Sequence, residues 1–242
     1  MIDKLNNVRY NAHIVTNKGK TMNYIAIIGK IINSQHVSNL SNRQEQLNLH
    51  LNKINRSFSD ELASPFTIIR GDEFQALCKP NPYIFFMIDQ IQLAFRDQLE
   101  IRFGIGLGEI LTPIDPKQGV VADGPAYWEA LKAIEFILDK DDYGSSKLSF
   151  SSEYKQIDRV IKPLLSSSDF IKATWNKSQT DLFEALINNK IYQEDFKQKP
   201  VAEKMKLSQS AFTKRLKSSG IKIYFRNRKT AMDLILQLSQ RS

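Results

Sequence analysis

Apolar residues first gather at Tyr24–Ile28 (YIAII), a short β-branched run with polar sequence around it, which predicts a buried strand. From about Asn42 the spacing becomes helical. Leu47, Leu51, Ile54 and Phe58 fall on one face, and Ser41 stands where a cap is wanted. FTIIR (66–70) and FQALC (74–78) flank Gly71-Asp72-Glu73, which predicts a hairpin with Gly71 at a turn position needing positive φ. Pro80 and Pro82 end it. Ile84, Met87, Ile88, Ile91 and Phe95 then mark the inner face of a helix over roughly 83–97. IRFGIGLGEI (101–110) reads as a strand diluted by Gly104, Gly106 and Gly108, where something is expected to approach the backbone closely. ADGPAYWEALKAIEFIL (122–138) predicts a loop, then a helix opened by Pro125. KLSFSS (147–152) fits a last strand.

The order β-α-β-β-α-β predicts an α+β domain of the ferredoxin-like or palm type, an antiparallel sheet covered by helices on one face. Residues 1–21 read as a polar lead-in and 22–165 as the α+β domain. Ser166-Ser167-Ser168 suggests a boundary, and 166–242 looks helical throughout.

Charge changes this picture. Residues 1–149 hold 16 Lys/Arg against 17 Asp/Glu, whereas 196–242 hold 12 against 2. Positive charge gathered at one end is how a chain attracts polyanions, although a solvated lysine-rich face would look the same. One cysteine, Cys78, cannot form an internal disulfide, and no apolar run is long enough to span a bilayer. The expectation is a cytoplasmic protein without a membrane partner.

The basic end contains KQKPVAEKMKLSQSAFTKRLKSSG (197–220), two short helices joined by a tight turn. Val201, Ala202 and Met205 line the first helix, Leu207 plugs the turn, Ser208 caps the second, and Phe212 and Leu216 form its inner face. This resembles a helix-turn-helix of the phage-repressor and sigma-factor region 4 type. It departs at Lys206, where a left-handed backbone makes glycine common. The resemblance implies that Gln209, Ser210, Thr213, Lys214 and Lys217 face double-stranded DNA, with Gln209 and Ser210 at base edges and the capping Ser208 among the DNA-binding residues. Lys199, Lys214, Lys217, Arg226 and Arg228 would sit near phosphates. An αα-hairpin used only for packing is the alternative. A helix with Ala231, Leu234, Ile235 and Leu238 follows, fit for internal packing or for a homodimer seam.

Carboxylates at a hairpin tip opposite the first strand suit magnesium, which takes hard oxygen ligands and clamps phosphoryl oxygens. Gly71-Asp72-Glu73-Phe74 resembles the GGDEF signature of diguanylate cyclases. In those enzymes another acid ends the first strand; here Lys30 stands there. Four blocks, IAIIGKIINS, FTIIRGDEFQAL, IRFGIGLGEI and ADGPAYWEAL, together with the terminal helix pair, look like the SatD family of bacterial proteins over roughly residues 22–220. That resemblance implies a cytoplasmic protein, named for a link to secretion and acid tolerance, with aspartate usual at the position of Lys30. It carries Asp72 and Glu73 over as candidate catalytic residues, and Asp72 as a candidate Mg²⁺ ligand.

An ammonium beside Asp72 and Glu73 would neutralise them much as a cation does. The expectation is therefore a catalytically silent site that still binds an anionic nucleotide through Lys30, Arg70 and the Gly104–Gly108 segment. A solvated lysine beside an ordinary polar turn is the plainer reading. His13, His36 and His50 lack metal-ligand spacing, and Cys78 reads as a buried small residue. Glu109 reads as an exposed strand-end carboxylate and Asp123 as a cap. The leading expectation is a DNA-binding transcription regulator whose first domain senses a nucleotide or mediates assembly. The competing one is a Mg²⁺-dependent nucleotidyl cyclase or transferase with an accessory helix-turn-helix.

Overall fold

The computed structural model describes residues 22–32, 40–116, 122–140 and 144–241. Its elements run β1 (Tyr24–Ile31), α1 (Leu40–Ser57), β2 (Leu62–Arg70), β3 (Glu73–Cys78), α2 (Ile84–Phe95), β4 (Ile101–Gly108), α3 (Pro125–Lys140), β5 (Leu148–Ser151), α4 (Lys155–Ala173), α5 (Lys177–Asn188), α6 (Gln198–Lys204), α7 (Gln209–Ser219) and α8 (Ile221–Ser239). The protein is thus α+β, with a five-stranded mixed sheet. The polar lead-in, residues 1–21, lies outside the described residues.

The strands lie in the order β2-β3-β1-β4-β5, antiparallel except for the parallel pair β4–β5. Parallel neighbours need a long crossover, which α3 supplies. Helices therefore cover both faces of the sheet, not the one expected. On one face Ile25, Ile27, Phe74, Phe103 and Ile105 meet α1 and α2. On the other, Ala26, Ile28 and Leu77 meet Ala126, Tyr127, Ala130 and Ile134 of α3. Burial on both sides is why β1 carries an unbroken apolar run instead of an alternating one.

The glycines of β4 have the same origin. A Cβ at Gly104 would lie 2.1 Å from the Ala130 carbonyl oxygen, and one at Gly106 2.0 Å from that of Ala126. The close approach expected at this strand is that of α3 itself.

Three local expectations are corrected. Gly71 lacks a positive φ; a Cβ there would sit 3.0 Å from Gln44 Nε2, whose amide donates to the Gly71 carbonyl. Ser41 falls inside the first turn of α1, which starts at Leu40. Ser166–Ser168 lie within the continuous helix α4 and form no break in it. Ser168 Oγ donates to the Leu164 carbonyl at 2.7 Å, satisfying the hydroxyl without leaving the helix.

The C-terminal helices are fastened to the sheet. α8 places Ile221, Tyr224 and Phe225 in a core shared with Phe183, Val201 and Phe212, and Ala231, Met232, Ile235 and Leu238 in the core under the sheet. A buried polar network joins the two regions. Asp89 of α2 accepts from Lys172 Nζ (2.6 Å), from Tyr224 Oη (2.5 Å) and from the Tyr192 hydroxyl. Asp169 Oδ1 pairs with Arg228 at 2.5 Å, and its other oxygen accepts the backbone N–H groups of Lys147 (2.7 Å) and Leu148 (2.8 Å).

Candidate functional site

The helix pair at the basic end has the expected internal geometry. Val201 and Ala202 of α6 and Phe212 and Leu216 of α7 are buried together. Ser208 caps α7, its hydroxyl accepting from Ala211 N at 3.2 Å. Lys206 takes φ +55°, the left-handed turn conformation in which an L side chain is strained.

With that inner face spent on packing, α7 turns Gln209, Ser210, Thr213, Lys214, Lys217 and Ser218 outward along one shallow depression. Five of these six are the residues singled out from the sequence. Ser218 was missed, although it follows Lys214 at the same helical spacing. Lys199 is exposed on α6. The two arginines of α8 part company. Arg226 is exposed but bound to Glu194 at 2.6 Å, so part of its charge is already compensated. Arg228 is 1% exposed, pairs with Asp169 and stacks near the Phe85 and Tyr224 rings, 5.2 and 5.0 Å from their centroids. It cannot reach a phosphate, and its expected place in a nucleic-acid interface is withdrawn. Burial disfavours its charge, but Tyr224, Asp169 and Asp89 outweigh that and raise its pKa.

At the ends of β1 to β4 the strand register assembles a row of charged side chains. Lys30 lies opposite Glu73 on β3 and opposite Arg102 on β4, and Glu73 lies opposite Arg70 on β2. The hairpin tip is tied to the end of β1, because Ile31 N donates to the Asp72 carbonyl at 2.7 Å. The structure thus brings Lys30 beside the hairpin carboxylates, as the sequence suggested. The contact differs from a filled metal site: no ion pair within 4.0 Å joins Lys30 to Asp72 or Glu73. Arg102, mostly buried and not anticipated, is held by Glu100 at 3.2 Å, and Glu100 also takes Lys147 at 2.6 Å. Alternation along β4 could have placed Arg102 in this row.

Gly104, Gly106 and Gly108 do not open toward the row, since α3 fills the space above them. Among the described residues, no group of three or more His, Cys, Asp or Glu side chains could hold a metal ion. The row thus gathers Lys30, Arg70 and Arg102 with Glu73, and Arg102 is compensated by Glu100.

The remaining candidates are structural. Cys78 is fully buried, and burial pushes its thiol pKa up, away from reactivity. The Asp123 carboxylate accepts from Gly124 N and from the Trp128 indole N–H, both at 2.8 Å, at the entrance to α3. His13 and His36 lie outside the described residues.

Fold and surface together define an α+β protein with a basic helical end docked onto its sheet. The model of the SatD family matches residues 24–235, and the chain belongs to that family. A search among curated proteins gave no match. No helix among the described residues is long and apolar enough to cross a membrane.

Proposed function

We propose that this SatD-family protein is a cytoplasmic, duplex-DNA-binding transcription regulator with a catalytically degenerate, cyclase-like sensing or assembly region. The observation that carries the reading is the outward face of α7. A helix whose inner side is core keeps Gln209, Ser210, Lys214 and Lys217 exposed together, with Thr213 half-buried among them. Polar groups able to read base edges and lysines able to neutralise phosphates are what a major-groove helix needs. The left-handed turn at Lys206 and the excess of cations in 196–242 support the same reading. The order β2-β3-β1-β4 supports a palm-type, ferredoxin-like arrangement for the first four strands.

In this reading the row Arg70, Lys30 and Arg102 attracts a nucleotide phosphate without magnesium. A homodimer belongs to the proposal too, but it needs a surface other than the inner face of α8, which the sheet core occupies. The enzyme reading rests on one observation, the tethering of Asp72 to the end of β1. It requires Mg²⁺-dependent consumption of a nucleoside triphosphate that stops in Asp72→Ala.

Fluorescence anisotropy with a duplex fragment tests the main proposal. Binding should weaken steeply with salt, and Lys214→Ala and Lys217→Ala should each lower the log–log salt slope by about 1. Gln209→Ala should relax sequence preference by roughly 1–3 kcal/mol at its base pair. Absence of salt-sensitive duplex binding by the intact protein would discard the proposal.

A further inference from the structure

α3 is apolar on two sides. Its inner side, with Ala126, Tyr127, Ala130 and Ile134, lies on the sheet. Away from the sheet, Trp128, Leu131 and Leu138 stay 47%, 46% and 44% exposed. With Glu135 they follow one another at steps of three, four and three residues, the spacing that keeps one stripe turned toward a facing helix. Among the described residues no other helix exposes more than two large apolar side chains. Leu111 extends the stripe at the start of α3, where its N–H donates to the Asp123 carbonyl at 2.9 Å. Exposed apolar side chains gathered in this way mark an interaction surface.

Trp128 is held ready for contact. Its indole N–H donates to the Asp123 carboxylate at 2.8 Å, so its polar atom is satisfied while the ring stays in solvent. A ring fixed beforehand loses little entropy on binding, which suits it as an interface anchor. Charge then selects the partner. Beside the stripe, exposed Lys132 lies in the N-terminal half of α3, and exposed Glu135 and Asp139 lie in its C-terminal half. Lys132 Nζ donates to Glu129 at 2.7 Å, and an ammonium has donors left for a second acceptor. A second α3 laid parallel would set like charges together. Laid antiparallel, it sets Lys132 beside Glu135. The midpoint of Trp128 and Leu138 falls within one residue of the midpoint of Lys132 and Glu135. A single two-fold axis there places Trp128 on Leu138 and Lys132 against Glu135, twice over, with Leu131 meeting its own copy next to the axis.

We infer that the exposed stripe of Trp128, Leu131 and Leu138 is the seam of an antiparallel homodimer, with Lys132 of each copy paired to Glu135 of the other. The seam gives the homodimer of the regulator reading its surface, and rests on that reading for the expectation of a pair. α3 covers the sheet face opposite the core that takes in α8, so the outward residues of α7 stay free in both copies. Two such helices suit a duplex with two half-sites.

Analytical sedimentation of the intact protein without DNA, from about 1 to 200 μM, tests this seam. One helix pair is small for a stable interface, so a monomer–dimer equilibrium with a Kd on the order of 10 μM is expected. Leu131→Glu should weaken it about tenfold or more by facing two carboxylates at the axis, with the melting temperature unchanged because Leu131 lies outside the core. Lys132→Glu and Glu135→Lys should each weaken self-association about tenfold. Mixing those two variants should restore it, since each supplies the charge that the other has lost. A protein that stays monomeric up to about 200 μM would overturn the inference. So would a dimer indifferent to Leu131→Glu, or charge variants that fail to recover on mixing. A monomer that sediments with anionic vesicles would also overturn it, giving the stripe to a lipid surface instead. Salt-sensitive duplex binding by a monomer would keep the regulator reading and remove the seam, whereas a dimer broken by these variants that binds no duplex would do the reverse.

Discussion

Arg228 and Asp169 form an ion pair at 2.5 Å with both side chains 1% exposed, joining α8 to α4 beneath the basic end of the chain. The carboxylate is further held by two backbone N–H groups of the β5 edge. The guanidinium sits between two aromatic rings. Removing one partner leaves the other charged and buried. Arg228→Met should therefore destabilise the fold by about 3–5 kcal/mol in urea denaturation. Its effect on DNA affinity should follow the folded fraction and leave the salt slope unchanged, unlike Lys214→Ala. A lowered slope in a fully folded Arg228 variant would contradict the buried placement.

Gly106 should tolerate no side chain. The carbonyl oxygen of Ala126 stands 2.0 Å from where its Cβ would be, and backbone cannot rotate out of the way. Gly106→Ala should cost about 3 kcal/mol or more by separating α3 from β4, seen as a lower midpoint at an unchanged denaturant slope.

Lys206 offers the opposite case. Its left-handed backbone costs an L residue about 1–2 kcal/mol, which Gly at the same φ avoids. Lys206→Gly should raise the melting temperature by a few degrees, offset in part by the greater chain entropy of glycine when unfolded. A lower melting temperature would mean that the Lys206 side chain makes a contact outweighing the strain.

His50 should make stability depend on pH near neutrality. Burial, and then the Lys53 charge, hold its pKa below the ordinary value of 6.5, and its Nε2 is buried without a partner. The unfolded state therefore binds the proton more readily than the folded one. The contribution is complete above pH 6.5 and is lost progressively as pH falls toward the lowered folded value. Thermal melts at about pH 7.5 and 5.5 should show a drop that shrinks in His50→Gln. An unchanged drop would assign the dependence to other groups.

Periodicity located the elements well because it reflects which face of each is buried. Leu47, Leu51 and Ile54 of α1, the α2 stripe, and Phe212 with Leu216 of α7 all face cores. The outward face of α7 follows from the same count. Lys30 beside the hairpin tip was legible because a strand-end residue and a tight turn leave little freedom of placement.

Other features depended on neighbours remote in sequence. Arg226 and Arg228 sit two residues apart in one basic run, yet only Arg228 is buried, since helical rotation carries it to the side where Asp169 waits. The glycines of β4 looked like a phosphate approach and proved to be the bed of α3. Residues 166–168 suggested a boundary because serine is common in loops, but a hydroxyl that bonds four residues back sits in a helix just as well.

The chain's own letters determined its periodic elements, the turn at Lys206 and the concentration of cations at one end, because each depends on residues within a few positions. Tertiary structure alone decided which cations stay in solvent, that α3 covers the second face of the sheet, and that Asp169 meets Arg228. Those outcomes depend on contacts between segments tens of residues apart, and burial and charge pairing are properties of the packed whole.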